Sequence, residues 1–190
     1  MHLPAFSSRR LIAPTATAGA VTLGSLAALA ASASFAATAS FASHAAITTS
    51  TPPCATADLV VWLDTRGNGA AGSTYYKLEF TNQSGHPCRL GGFPGVSAVD
   101  LGGAQLGSAA SRDGSRGPRT VRLAGGATAT AVLRIVEARN FPRSGCRPVS
   151  AAGFRVYPPN GTASKVVPFP FAACSRTGLV YLSVQPVRAA

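Results

Sequence analysis

The chain has 190 residues, a formal net charge of +11 and a hydrophobic share of 46%. Charged residues make up only 12%, which excludes a charge-rich disordered chain and a long coiled coil. Lys77 and Lys165 are the only lysines. An Arg-rich, Ala/Gly-rich composition follows from GC-rich coding as readily as from function, so the charge alone names no partner.

Arg9 and Arg10 are the only Arg, Lys, Asp or Glu before Asp58. A short basic start, a long Ala/Ser/Thr stretch and an Ala-x-Ala site predict a secretory signal peptide over residues 1–46. Cleavage is expected after Ala37-Thr38-Ala39 or nearer Ala46. The rival reading is an uncleaved membrane anchor. The stretch is long enough, but it is weakly hydrophobic and Pro14 interrupts it. Lipidation at Cys54 is excluded by the preceding Thr51-Pro52-Pro53, which lacks the apolar and small residues that modification needs. Residues 47–53 read as a Ser/Thr/Pro linker, and residues 54–190 as one domain with one core.

Cys54, Cys88, Cys146 and Cys174 all follow the leader. An even number in an exported chain predicts two disulfides. A zinc site is the alternative, but no Cys-x-x-Cys or Cys-x-x-His spacing occurs. Spacing alone allows three pairings. The immunoglobulin arrangement places a Trp between two strand cysteines, whereas Trp62 precedes both Cys88 and Cys146, and those two have loop neighbours. Cys54–Cys88 and Cys146–Cys174 are therefore the preferred pairs, each closing a loop of about 30 to 35 residues.

Asp58–Asp64 is an apolar, β-branched run that predicts a buried strand. Thr65–Ser73 reads as a glycine loop. Tyr76, Leu78 and Phe80 alternate with Tyr75, Lys77 and Glu79, the period of a half-buried strand. Asn82-Gln83-Ser84-Gly85 ends it. A tight Gly91–Gly95 loop leads into a strand from Val96. Residues 101–118 read mostly as loop. Thr120–Leu123 is a short strand, and after the turn Ala124-Gly125-Gly126 the chain runs back with Ala131, Leu133 and Ile135 on one face. Gly153–Tyr157 is a strand. Lys165–Val167 is a short, edge-like strand closed by Pro168 and Pro170. Gly178–Val187 is the last strand. No window after the leader has sustained helical periodicity. The fold class is all-β, an immunoglobulin-like antiparallel β-sandwich of about seven or eight short strands with two disulfides.

Three segments carry a resemblance. They are Leu78-Glu79-Phe80-Thr81-Asn82, the run Cys88-Arg89-Leu90-Gly91-Gly92-Phe93-Pro94-Gly95-Val96, and Val156-Tyr157-Pro158-Pro159-Asn160. Together with the order of the cysteines, they make the chain from about Cys54 to Val187 similar to the DUF4232 family of exported actinobacterial proteins. The second segment is the specific one. Gly125 departs from the proline usual at that turn. The resemblance implies a β-sandwich and an export or envelope location. It implies no established activity and brings no catalytic residues.

Residues capable of chemistry are sparse. His86 sits in a polar turn, His44 lies in the leader, and no Gly-x-Ser-x-Gly elbow occurs. Asp58, Asp64, Glu79, Asp100, Asp113 and Glu137 are isolated in sequence. No cofactor, metal site or catalytic residue is expected. Arg112, Arg116, Arg119 and Arg122 form a basic run that suits an anionic surface, continued loosely by Arg134, Arg139, Arg143 and Arg147. The turns Gly92-Phe93-Pro94-Gly95 and Tyr157–Asn160 could recognise a partner. Asn82 and Asn160 begin formal glycosylation acceptors. The expectation is an exported, non-enzymatic binding module whose partner is an anionic envelope polymer or another exported protein. A protein-interaction or inhibitor module using the Gly91–Gly95 loop is the alternative, and a hydrolase is the third reading. Nucleic acid is disfavoured by export and by the lack of interleaved aromatics. Membrane contact is expected only through an uncleaved leader.

Overall fold

A computed structural model describes residues 50–190. The expected leader over residues 1–46, with His44, and the first residues of the linker lie outside the described residues. Twelve strands occur among the described residues: β1 (Leu59–Ala70), β2 (Ser73–Asn82), β3 (Cys88–Gly91), β4 (Gly95–Val99), β5 (Gln105–Leu106), β6 (Ser111–Arg112), β7 (Thr120–Leu123), β8 (Thr128–Val136), β9 (Pro148–Tyr157), β10 (Lys165–Cys174), β11 (Leu182–Val184) and β12 (Arg188–Ala189). One sheet runs β1-β2-β8-β11-β6, with β12 also on β8; a second runs β10-β9-β4-β5; β3 and β7 form a ribbon. The expected count of seven or eight is too low because several strands are pairs of two or three residues, too short to show a period. Pairing between these strands is antiparallel except between β11 and β6.

Alternation explains the core. Leu78 and Phe80 on β2, Ala131, Leu133 and Ile135 on β8, and Leu182 and Val184 on β11 all turn inward. They meet Val96 and Ala98 of β4 and Phe154 and Val156 of β9 in one cluster. Tyr76 packs edge-on against Phe169 at 4.9 Å, and Phe154 stacks with Phe171 at 4.8 Å. Each such large side chain contributes about 1.5–3 kcal/mol by leaving water. No helix among the described residues is long and apolar enough to cross a membrane.

Four expectations are corrected. Thr65–Ala70 is strand, paired with β2 as far as Ala70↔Ser73 across a bulge between Asp64 and Asn68. The turn is only Ala71-Gly72, both with positive φ (45° and 70°), which suits the right-handed twist of a hairpin. Its glycines hid the strand, and at Gly67 glycine is required, because a Cβ would lie 2.6 Å from the Tyr76 ring. β1 is not buried on both faces, since Trp62 is 44% exposed on the outer face of an edge strand. The turn after β7 does not fold it onto β8; β7 pairs with β3, so Ala124–Gly126 passes the chain between sheets. β10 continues through both prolines to Cys174. It lies at the sheet edge and its register shifts between Pro168 and Phe171, which is where a strand tolerates residues lacking N–H.

Both preferred disulfides form: Cys54–Cys88, 34 residues apart, and Cys146–Cys174, 28 apart. Closing such loops in the unfolded chain contributes about 3.5–4 kcal/mol each. Two disulfides fit an oxidising, extracellular setting.

Asn82 joins the layers. It is fully buried, and its Nδ2 donates to the carbonyls of His86 (2.7 Å), Leu123 (3.2 Å) and Ala124 (3.1 Å). Its Oδ1 accepts from the backbone N–H (3.0 Å) and hydroxyl (2.8 Å) of Ser84. The formal glycosylation acceptor Asn82 is thus consumed by the fold. Asn82→Ala is expected to lower stability by about 3 kcal/mol, because several buried groups lose partners together. A urea titration checks this, with a lower midpoint and an unchanged slope.

Tyr181 is buried, its hydroxyl has no partner among the described residues, and burial pushes its pKa up to about 12. The folded state therefore holds this proton more tightly than the unfolded chain, whose tyrosine titrates near 10. That contribution is intact below about pH 10 and is lost as pH rises toward 12. Tyr181→Phe is expected to leave neutral stability equal or slightly higher and to shift alkaline unfolding upward. Thermal melts from pH 8 to about pH 11 check this.

Candidate functional site

The segment Pro52–Cys54 lies beside β3 in parallel. The N–H of Arg89 donates to the carbonyl of Pro52 (2.8 Å), and that of Cys54 to the carbonyl of Arg89 (3.0 Å). The Cys54–Cys88 bond fastens the segment covalently. β3 and β7 pair with Arg89 opposite Arg122 and Gly91 opposite Thr120. Cys88, Leu90 and Leu123 point into the core, so Arg89 and Arg122 share the outer face. Like charges placed directly opposite repel.

A cleft of about 570 Å³ opens along this ribbon, walled by Pro53 and Cys54 on one side and Pro159–Gly161 on another, with Arg89 and Arg119 in its lining. The two turns singled out in the sequence meet here. Asn160 Nδ2 donates to the Gly91 carbonyl (3.0 Å), and Gly95 pairs with Tyr157. Gly92 has φ 101° and Asn160 φ 61°, so both turns use the left-handed region. A second cleft of about 390 Å³ adjoins, lined by Arg116, Gly117, Pro118, Arg119 and Arg188. Pro118 and Arg119 belong to both clefts.

The basic run is divided by the fold. Arg116 and Arg119 line the clefts. Arg112 instead sits over the ring of Phe93, 5.8 Å from its centroid. Arg122 lies on the outer face of β7. Arg134 donates to the Ser73 hydroxyl (3.1 Å) and Arg139 lies 3.8 Å from Glu137, so the looser continuation serves other parts of the domain. Phe93 is half-buried under Arg112 and Pro94 is buried, which leaves the Gly92–Gly95 turn without a broad apolar surface. The sequence alone does not mark Arg89, Arg188 or Asn160 as anion contacts. Arg89 stands alone beside a cysteine and Arg188 near the end of the chain, so neither belongs to a run.

Arg89 is anchored, its Nε donating to the Thr51 carbonyl at 2.8 Å, and Arg188 donates to the carbonyls of Val187 and Gly117. Ion pairs among the described residues are Asp64–Arg66 and Glu137–Arg139; neither involves a cleft arginine. The Arg66 guanidinium holds the Asp64 carboxyl below its ordinary range. The Gln185 amide and the Ser115 backbone N–H do the same for Asp113. His86 is exposed, and its carbonyl serves the Asn82 network.

Residues 54–188 match the family described as domain of unknown function DUF4232. The chain belongs to that family. Comparison with curated proteins yields no match. The two clefts of this DUF4232 domain present guanidinium groups and turn backbones to solvent.

Cys54 is half-buried and faces the larger cleft, whereas Cys146 and Cys174 are fully buried. A mild dithiol reductant is therefore expected to open Cys54–Cys88 first, because thiolate attack needs access. Alkylation followed by peptide mapping checks the order.

Proposed function

We propose that this domain is an exported, non-enzymatic module that binds an anionic polymer of the cell envelope. The observation that carries the reading is the convergence of Arg89, Arg116, Arg119 and Arg188 on two adjoining clefts without a carboxylate partner among the described residues. Guanidinium groups brought together repel, and a polyanion relieves that repulsion. The planar fork of a guanidinium offers several donors and no acceptor, which suits it to holding an anion. A hydrolase would need carboxylates brought to one cleft, whereas Asp64 and Asp113 are each tied to their own neighbours. The signal-peptide reading of residues 1–46 supplies the route outward, and the disulfides agree with it.

The oxidised protein is expected to co-sediment with isolated cell-wall sacculi or anionic lipid vesicles at low salt and to be released by high salt. No sedimentation at low salt with either material overturns the proposal.

A further inference from the structure

We infer that the two clefts form one groove for a linear phosphodiester polymer, with Arg119 shared between successive phosphates. This rests on the reading of the domain as a polyanion binder and specifies where and what it binds. Arg119 and Pro118 line both clefts, so an occupant of one is continuous with an occupant of the other. Each cleft also has its own further arginine, Arg89 in the larger and Arg116 in the smaller. A single small anion fills one cleft at most. Repeated charge on a chain is needed to engage both.

The donors are of two kinds. Arg89 and Arg188 are fixed by backbone carbonyls, which leaves their remaining N–H groups preset. Arg116 and Arg119 are exposed and have no hydrogen-bond partner among the described residues, so their donors are uncommitted. The planar fork of a guanidinium matches two oxygens of one phosphate. A phosphodiester places that charge in the chain itself, so a chain lying in the groove presents oxygens to both walls. A pendant carboxylate presents its charge to one side only. The walls also carry Pro53, Pro118 and Pro159, rigid apolar faces for the carbon skeleton of a polyol or sugar unit. The residues lining the groove include no Phe, Tyr or Trp, so nucleic-acid bases find no ring to stack on there.

The test uses the oxidised full chain and titrations with four probes: a glycerol-phosphate oligomer, inorganic phosphate, poly-glutamate of matched charge, and oligothymidylate. The expected result is that the glycerol-phosphate oligomer binds at least tenfold tighter than each of the other three. R119Q should weaken it at least tenfold and R116Q several-fold. Both side chains are exposed and unpartnered, so circular dichroism and the melting temperature should not change. The variant R112Q, outside the groove, should change affinity less than twofold. If R112Q loses binding while R119Q keeps it, the groove is wrong and the wider polyanion reading stands. Equal or tighter binding of poly-glutamate or oligothymidylate overturns the phosphodiester assignment. Equal affinity for inorganic phosphate overturns the claim of two linked clefts. If none of the four binds, both readings fall.

Discussion

The side-chain amide of Asn82 is the fixed point of the domain. It ends β2, a core strand, and grips the carbonyls of Leu123 and Ala124 where the chain leaves β7. The backbone repeats the grip, with Asn82 N–H on the Ala127 carbonyl (3.0 Å) and Gly126 N–H on the Asn82 carbonyl (2.7 Å). A hydrocarbon side chain here would strand those groups in a medium where an unmade hydrogen bond costs about 1–3 kcal/mol. A charged side chain would face several carbonyl oxygens. An amide satisfies donors and acceptors at once, which is why neither Leu nor Asp serves in its place.

That grip decides where β3 and β7 go. Because the chain leaves the Asn82 turn at His86 and the other strand leaves at Leu123, the two meet as a separate ribbon rather than joining either sheet. The ribbon buries Cys88, Leu90 and Leu123 and turns its arginines outward. The basic groove is therefore a by-product of how a buried polar residue sorts strands between layers. The remaining wall, Pro53 and Cys54, is held by one bridge of backbone bonds and one covalent bond.

Much of the fold was legible because the strongest signals are local. The alternation from Tyr75 to Phe80, the alanine-rich run of β8 and the loop neighbours of the cysteines each report on a handful of adjacent residues. Illegible features depend on distance. The outer half of β1 reads as loop because its glycines bury nothing; only pairing with β2 makes it strand. The prolines of β10 read as a stop because their tolerance depends on lying at an edge. The candidate site was half legible. Arg116 and Arg119 stand in a visible run. Arg89 and Arg188 join them only through the pairings of β3 with β7 and β12 with β8, across 33 and 58 residues in the paired registers Arg89↔Arg122 and Arg188↔Thr130.

The position of Cys54–Cys88 also gives the groove a history. A wall fastened by an oxidised bond exists only after the chain has met an oxidant. Until then the segment holding Pro53 keeps little beyond its few backbone bonds to Arg89. A chain with Cys54 and Cys88 reduced thus has its arginines but not the fastened wall of the cleft. If the domain binds a polyanion as proposed, oxidation of Cys54 and Cys88 separates the making of the chain from the fastening of the cleft wall.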